Sequence, residues 1–417
     1  MTPDGENELP WPASGSDHAG ARADAVDLDP SGPLRGRLRV PGDKSVSHRA
    51  LLLAALAEGA STIRGLSDGD DVRRTALAVQ SHGARLTLTE GPAKSGRLPL
   101  PGVAAVEVTG GRENLHEAMQ PIDVGNSGTG IRLLAGWAAS FPWLTVLHGD
   151  RYIARRPMER VAGPLRLMGA RIDGRDGGRY PPLVVRGGAL HGIEYRLPVA
   201  SAQVKGALLL AALSASGPTV VHEPAPVRAH TEELLMLCDA DVSVRDGGAT
   251  VEARPSALRA FDLEVPGDPS QAAFWVVAGC VVPGSDLTIE GVYVGRARAA
   301  FIDVLVRMGA DIVVSGPTSG ADIRVRHAPL HGTVVEGDEV PGLIDEIPVL
   351  AVAAAAANGT TEFRDAAELA VKETDRIATT TAALGALGVG TEARPDGLVV
   401  RGGGGGGDPV GLLDRQL

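Results

Sequence analysis

Lys44-Ser45-Val46-Ser47-His48-Arg49-Ala50-Leu51-Leu52-Leu53-Ala54-Ala55-Leu56-Ala57 joins two unlike halves. The first carries two cations, two hydroxyls and a histidine. The second, residues 50–57, carries no polar side chain. A helix that is apolar all round is buried all round, so this half reads as a helix inside a core. The same join recurs along the chain. Buried helices begin near Ser47, Ser127, Ser201, Pro269 and Asp345, at spacings of 80, 74, 68 and 76 residues. They run as 50–57, 131–139, 204–212, 272–282 and 347–357. Glycines such as Gly59, Gly217 and Gly359 are read as their C′ stops.

A second helix series is amphipathic and ends in a small-residue turn before a strand. Those turns are Ser-His-Gly-Ala at 81–84, Leu-Met-Gly-Ala at 167–170, Leu-Cys-Asp-Ala at 237–240, Arg-Met-Gly-Ala at 307–310 and Ala-Leu-Gly-Val at 386–389. Self-similarity at a steady period marks repeated supersecondary units. The unit is strand, buried helix, strand, amphipathic helix and a pair of strands, a βαβαββ pattern in an α/β protein. Five units are visible, with a boundary near 254–266 after the third.

Composition agrees with two buried cores. The chain has 417 residues, 44% hydrophobic but only 3% aromatic, so Ala, Val and Leu must fill them. A net charge of −11 argues against a general nucleic-acid surface. It leaves room for anionic substrates, because a local cationic pocket can sit in an acidic protein. Cys238 and Cys280 lie in apolar patterns, match no metal spacing, and read as buried thiols in a reducing cytoplasm. No apolar run reaches the roughly 20 residues of a membrane helix. Residues 1–33 are rich in Pro, Gly, Ser and Asp and read as a disordered extension.

The informative polar residues cluster where the buried helices start. A helix N-terminus offers free N–H groups and a partial positive charge, and so attracts anions. At 41–49, Lys44 and Arg49 can pair with phosphate and Ser45 can donate to it; Lys44 is equally readable as a solvated lysine, and Ser47 as an N-cap. At 125–132, glycines including Gly128 let a ligand approach the backbone, or simply make a tight loop. Arg151, Arg155 and Arg156 follow, on a face that reads either as ordinary solvated surface or as an anion site. Ser201 and Gln203 offer donors, or plain capping, at the third helix. Asp345 and Glu346 open the fifth helix, as dipole partners or as acid–base groups. The run 372–376, Lys-Glu-Thr-Asp-Arg, is either a salt-bridged helix or a carboxylate set among cations for proton transfer.

Taken in order, residues 41–49, 125–132, Arg156-Pro157, 201–203, Asp345 and 372–376 resemble the signature blocks of the EPSP synthases. The resemblance runs from about Leu34 to Arg401. It implies a two-domain enolpyruvyl transferase fold of six βαβαββ units, closing over its substrates like a clamp. Residues 44–258 would form the three-unit domain. Residues 34–43 with 259–401 would form the second, with two visible units, and 402–417 a Gly-rich tail.

The resemblance also implies an activity: transfer of the enolpyruvyl group of phosphoenolpyruvate to the 5-hydroxyl of shikimate 3-phosphate. Phosphate leaves, no cofactor or metal is used, and the product serves chorismate and aromatic amino acid biosynthesis. Lys44, Ser45, Arg49, Ser201, Gln203, Arg228, Asp345 and Lys372 would hold shikimate 3-phosphate. Lys44, Gly128, Arg156, Gln203 and Arg376 would hold phosphoenolpyruvate. Asp345 would take the hydroxyl proton, Glu373 would handle protons at the enol carbon, and Lys44 would serve both anions. A monomer without nucleic-acid or membrane partners is implied.

The sequence departs from the family at its end. The Asp-His-Arg block of the family's sixth unit has no counterpart, and neither has a lysine beyond it. A sixth unit is therefore expected to be missing, which opens the alternative of a non-catalytic remnant that still binds ligand. UDP-N-acetylglucosamine enolpyruvyl transferase is the rival enzyme; it would call for a loop cysteine, which neither thiol here provides.

Overall fold

The computed structural model describes residues 32–89, 103–225, 227–372 and 374–403. Most of the expected extension 1–33, the tail from 404 onward and Glu373 lie outside the described residues. In chain order the elements begin with β1 (Arg35–Leu38), α1 (Lys44–Leu56), β2 (Ala60–Leu66), α2 (Asp70–Ser81), β3 (Arg85–Leu88) and β4 (Val103–Thr109). Next come β5 (Ile122–Asp123), α3 (Gly128–Ala139), β6 (Leu144–His148), α4 (Glu159–Leu167), β7 (Arg171–Arg175) and β8 (Tyr180–Arg186). They are followed by β9 (Glu194–Arg196), α5 (Ala202–Ala212), β10 (Thr219–His222), α6 (His230–Leu237), β11 (Val242–Arg245), β12 (Thr250–Ala253) and β13 (Asp262–Glu264). Then come α7 (Pro269–Val281), β14 (Asp286–Val292), α8 (Ala300–Arg307), β15 (Asp311–Ser315) and β16 (Ala321–Arg326). The series closes with β17 (Val334–Val335), α9 (Ile347–Ala356), β18 (Asn358–Phe363), α10 (Arg376–Ala386), β19 (Gly390–Arg394) and β20 (Gly397–Gly403).

Two compact units result. The first takes the described residues from Pro41 to Val265, and the second takes those up to Val40 and from Pro266 on. Among the described residues the first unit holds three four-stranded sheets, β13-β2-β4-β3, β5-β6-β8-β7 and β9-β10-β12-β11. The second holds two, β1-β14-β16-β15 and β17-β18-β20-β19. Each sheet opens with a parallel pair joined to antiparallel neighbours, as in β5-β6 and then β6-β8 and β7-β8. A parallel pair needs a helical crossover, and antiparallel neighbours need only a turn.

Two strands are exchanged relative to sequence order. β1 pairs with β14 in the second unit, and β13 pairs with β2 in the first. The first unit therefore runs from Pro41 to Val265, where the sequence suggested 44 to 258. β20 also reaches Gly403, pairing Gly402 with Gly359 and Gly403 with Asn358, so the first two glycines of the expected tail are strand.

The amphipathic helices stop by one device. The amides of Ala84, Ala170, Ala240, Ala310 and Val389 donate to the carbonyls of Val79, Leu165, Leu235, Leu305 and Leu384. This is the Schellman closure, which needs a left-handed residue just before the donor. That residue is glycine in four cases, and Asp239 at φ 58° in the fifth. The buried helices end differently. The C-caps of α1 and α9 are Ala57 and Ala357, both extended. Gly59 and Gly359 lie two residues further on, beyond C′.

In the first unit every residue of α1 except Lys44 is buried. α3 packs against both α1 and α5. Trp137 donates its indole N–H to the Leu52 carbonyl at 3.2 Å. Gly136 is required by the α3–α5 approach, since a Cβ there would lie 2.1 Å from the Ala207 carbonyl oxygen. In the second unit α7 and α9 pack on each other, yet Phe274 is 60%, Trp275 43% and Val352 45% exposed. The expectation of complete burial fails at Phe274 and Trp275 of α7 and at Val352 of α9; among the described residues α7 packs chiefly on α9 and on β14 and β16 of one sheet. Among the described residues no helix is long and apolar enough to cross a membrane.

Candidate active site

In the first unit the polar residues gather at the starts of α1, α3 and α5. α1 begins three residues earlier than Ser47, because Asp43 caps it, accepting from the Val46 amide at 2.8 Å. Ser47 is buried within the helix and takes the Ser67 amide instead. Lys44 thereby becomes the first helical residue, half-exposed, with its ammonium 3.2 Å from Asp71 Oδ2. Ser45 is buried behind it. Arg49 is also buried; its Nε donates to Thr231 Oγ1 at 2.6 Å, and its Nη atoms to the Ser45 and Ala202 carbonyls. His48 beside it is held well below the usual histidine range, at about 3, by burial and then by the charges of Lys44 and Arg49. It is therefore neutral at neutral pH and adds no charge to the cluster.

Ser127 caps α3 and Ser201 caps α5. Gln203 joins the two helix ends: its Oε1 accepts from Arg132 Nη1 at 2.8 Å and its Nε2 donates to Thr129 Oγ1 at 2.9 Å. Arg132 also donates to the Gly128 carbonyl at 3.0 Å. Arg156 is steadied by Asn126 Oδ1 at 3.1 Å. A Cβ added to Gly128 would lie 2.3 Å from Arg156 Nη1 and 3.2 Å from Arg132 Nη1. Two guanidinium groups thus lie against a side-chain-free helix start, an arrangement suited to an anion. Arg228 stands two residues before α6.

The second unit holds a separate cluster. Asp345 Oδ1 accepts from Arg376 Nη1 at 3.2 Å and lies 3.5 Å from Lys372 Nζ. All three side chains are partly exposed. Arg376 is the first residue of α10, capped by Asp375. Asp345 does not open α9 as the sequence suggested; the helix starts at Ile347 with Glu346 at its N-cap position. Glu346 goes its own way. Buried, it accepts from Ser270 at 2.5 Å and Arg298 at 3.1 Å, and Arg298 also pairs with Asp268 at 2.6 Å. That network ties together the starts of α7 and α9.

The structure thus brings Lys44, Ser45, Arg49, Gly128, Arg156, Ser201 and Gln203 to helix starts of the first unit, with Arg228 just ahead of α6, and Asp345, Lys372 and Arg376 together in the second. Glu373 lies outside the described residues. Thr129, Arg132 and Asn126 were not singled out from sequence, although each lies inside the 125–132 block; only the pairing across 71 residues of Arg132 with Gln203 reveals their part. Cys238 and Cys280 are buried, and burial pushes both thiols up to about 12. Neither is a nucleophile at neutral pH.

Comparison with known proteins places this architecture. The enolpyruvyl transferase NikO from Streptomyces tendae superposes with a TM-score of 0.69 at 18% identity, over 89% of this chain and 83% of its own, which shows a shared fold. EPSP synthase from Acinetobacter baumannii gives a TM-score of 0.78 at 38% identity, covering 91% of this chain and 84% of that one. The fold is that of the enolpyruvyl transferases, built from repeated βαβαββ units.

The sequence profile of EPSP synthase (3-phosphoshikimate 1-carboxyvinyltransferase) matches residues 28–407. The 3-phosphoshikimate 1-carboxyvinyltransferase of Gloeobacter violaceus is 50% identical over 386 residues, 91% of this chain and 86% of the relative. That of Desulforudis audaxviator is 46% identical over 383 residues, 90% and 86% respectively. The chain belongs to the EPSP synthase family.

Proposed function

We propose that this chain transfers the enolpyruvyl group of phosphoenolpyruvate to the 5-hydroxyl of shikimate 3-phosphate, releasing phosphate. The observation that carries the reading is the bonded set Gly128, Arg132 and Gln203 at the starts of α3 and α5, with the Arg156 guanidinium against Gly128. Two anionic substrates need fixed cations, and preorganised donors of this kind stabilise developing charge. Lys44, Ser45, Arg49, Ser201, Gln203 and Arg228 hold shikimate 3-phosphate, with Asp345 and Lys372 on its ring. Lys44, Gly128, Arg156, Gln203 and Arg376 hold phosphoenolpyruvate.

The chemistry is addition followed by elimination. The 5-hydroxyl oxygen bonds to the enol carbon, its proton passing to Asp345, while the terminal carbon gains a proton. That carbon then gives a proton back as the bond to phosphate breaks. Glu373 is the group assigned to those two transfers. An enzyme of this kind acts in the cytoplasm, as a monomer.

Phosphate release is the test, measured with both substrates and with each omitted in turn. Release only when both are present is expected. Binding of shikimate 3-phosphate without release would instead make the chain a non-catalytic binder.

A further inference from the structure

Lys205 lies in α5, four residues after Ser201, and is wholly buried. Its ammonium is 2.5 Å from Glu223 Oε1 and 2.5 Å from Glu232 Oε1. Both carboxylates are buried too. One amine and two carboxyl groups are thus held away from water, although apolar side chains of similar volume often give equal or better stability in such places. Stability alone does not account for the cluster. Its connections do.

Lys205 belongs to the helix whose start bears Ser201 and Gln203. Glu223 follows β10, and its Oε2 accepts from the Val227 amide at 3.1 Å, which pins the loop leading into Arg228. Glu232 is in the first turn of α6, beside Thr231, whose hydroxyl takes Arg49 Nε at 2.6 Å. The helices approach closely there: a Cβ on Gly206 would lie 2.8 Å from Thr231 Oγ1 and 3.2 Å from Arg49 Nη2. A single ammonium therefore locks three segments of chain together.

We infer that Lys205, Glu223 and Glu232 are positioning residues, setting the spacing of Ser201, Gln203, Arg49 and Arg228 and hence the affinity for shikimate 3-phosphate. The inference rests on the function proposed above. None of the three takes part in the transfer itself.

The test is the triple variant Lys205→Met, Glu223→Gln, Glu232→Met in the full chain. It removes the three charges, roughly keeps volume and leaves an acceptor for the Val227 amide. Melting temperature, the shikimate 3-phosphate Kd by calorimetry, and both KM values are measured. The melting temperature should stay within about 4 °C of the unmutated chain. Kd and KM for shikimate 3-phosphate should rise about tenfold or more with kcat within about threefold, and the phosphoenolpyruvate KM, which Gln203 shares, should rise by less than that for shikimate 3-phosphate. An unchanged Kd in an equally stable variant overturns the positioning role and leaves the proposed function standing. If the triple variant does not fold, Glu223→Gln alone should raise Kd about threefold, and an unchanged Kd there overturns the role as well. An unmutated chain that binds no shikimate 3-phosphate overturns both readings.

Discussion

The central helices of the two units differ in how completely they are enclosed. In the first unit α1, α3 and α5 share a core bordered by three sheets, and α1 is buried from Ser45 to Leu56. In the second, α7 and α9 have two sheets among the described residues and show Phe274, Trp275 and Val352 to solvent. Apolar character alone does not bury a helix; the number of surfaces around it does. The difference extends to chemistry. The first unit's polar cluster sits at the starts of these helices, with Gln203 bonded to Arg132 and Thr129 and Lys44 half-exposed. The second unit's cluster hangs on one carboxylate, Asp345, shared by Lys372 and Arg376. The first arrangement sets cations beside helix starts, and the second sets one carboxylate between two cations.

Substitutions can break that division of labour. The largest effect is expected for Lys44→Ala. Charge-assisted contacts contribute about 1.5–3 kcal/mol each, so losing two should lower kcat/KM on the order of 10²–10⁴-fold. Steady-state kinetics with both substrates measure it, and near-normal activity would remove Lys44 from the site. Asp345→Asn keeps shape but loses the carboxylate proposed as the base. It should lower kcat roughly 10²–10⁴-fold with smaller changes in KM; a pure KM effect would make Asp345 a gripping residue like those of the first unit.

Gly128→Ala should be milder. The added methyl pushes aside the Arg156 guanidinium, raising the phosphoenolpyruvate KM about tenfold. An unchanged KM would show that Arg156 moves without consequence. The smallest effects concern stability and probe enclosure directly. Leu52→Ala in α1 should cost about 2–5 kcal/mol in urea unfolding, whereas Trp275→Ala in α7 should cost about 1 kcal/mol or less. Equal costs would mean that the two helices are enclosed alike.

Much of this was legible in the sequence because it depends on local rules. The apolar character of the buried helices, the small-residue turns that end the amphipathic ones and the serine cap Ser201 each follow from residues a few positions apart, whereas Ser47 as a cap and Gly59 and Gly359 as stops missed the true helix ends. The signature blocks then located the residues of both clusters. What escaped depends on distant partners. β13 is only three residues long and pairs with β2, 200 positions earlier, so no periodicity could announce its place in the first unit, although residues 34–43 were assigned to the second. Arg132 and Gln203 meet across 71 residues. Lys205 reads as one more polar residue near a helix start until Glu223 and Glu232 are seen around it. Phe274 and Trp275 fit an apolar run perfectly well, and only the neighbours actually present reveal their exposure.

The most direct test of the central claim follows the transferred carbon itself. The full chain is incubated with shikimate 3-phosphate and phosphoenolpyruvate labelled with carbon-13 at the enol carbon, and the mixture is followed by nuclear magnetic resonance. The account predicts that the labelled signal moves to an enol ether on the 5-oxygen of shikimate 3-phosphate, with phosphate released in equal amount and only when both substrates are present. Labelled phosphoenolpyruvate that persists unchanged beside bound shikimate 3-phosphate would contradict it.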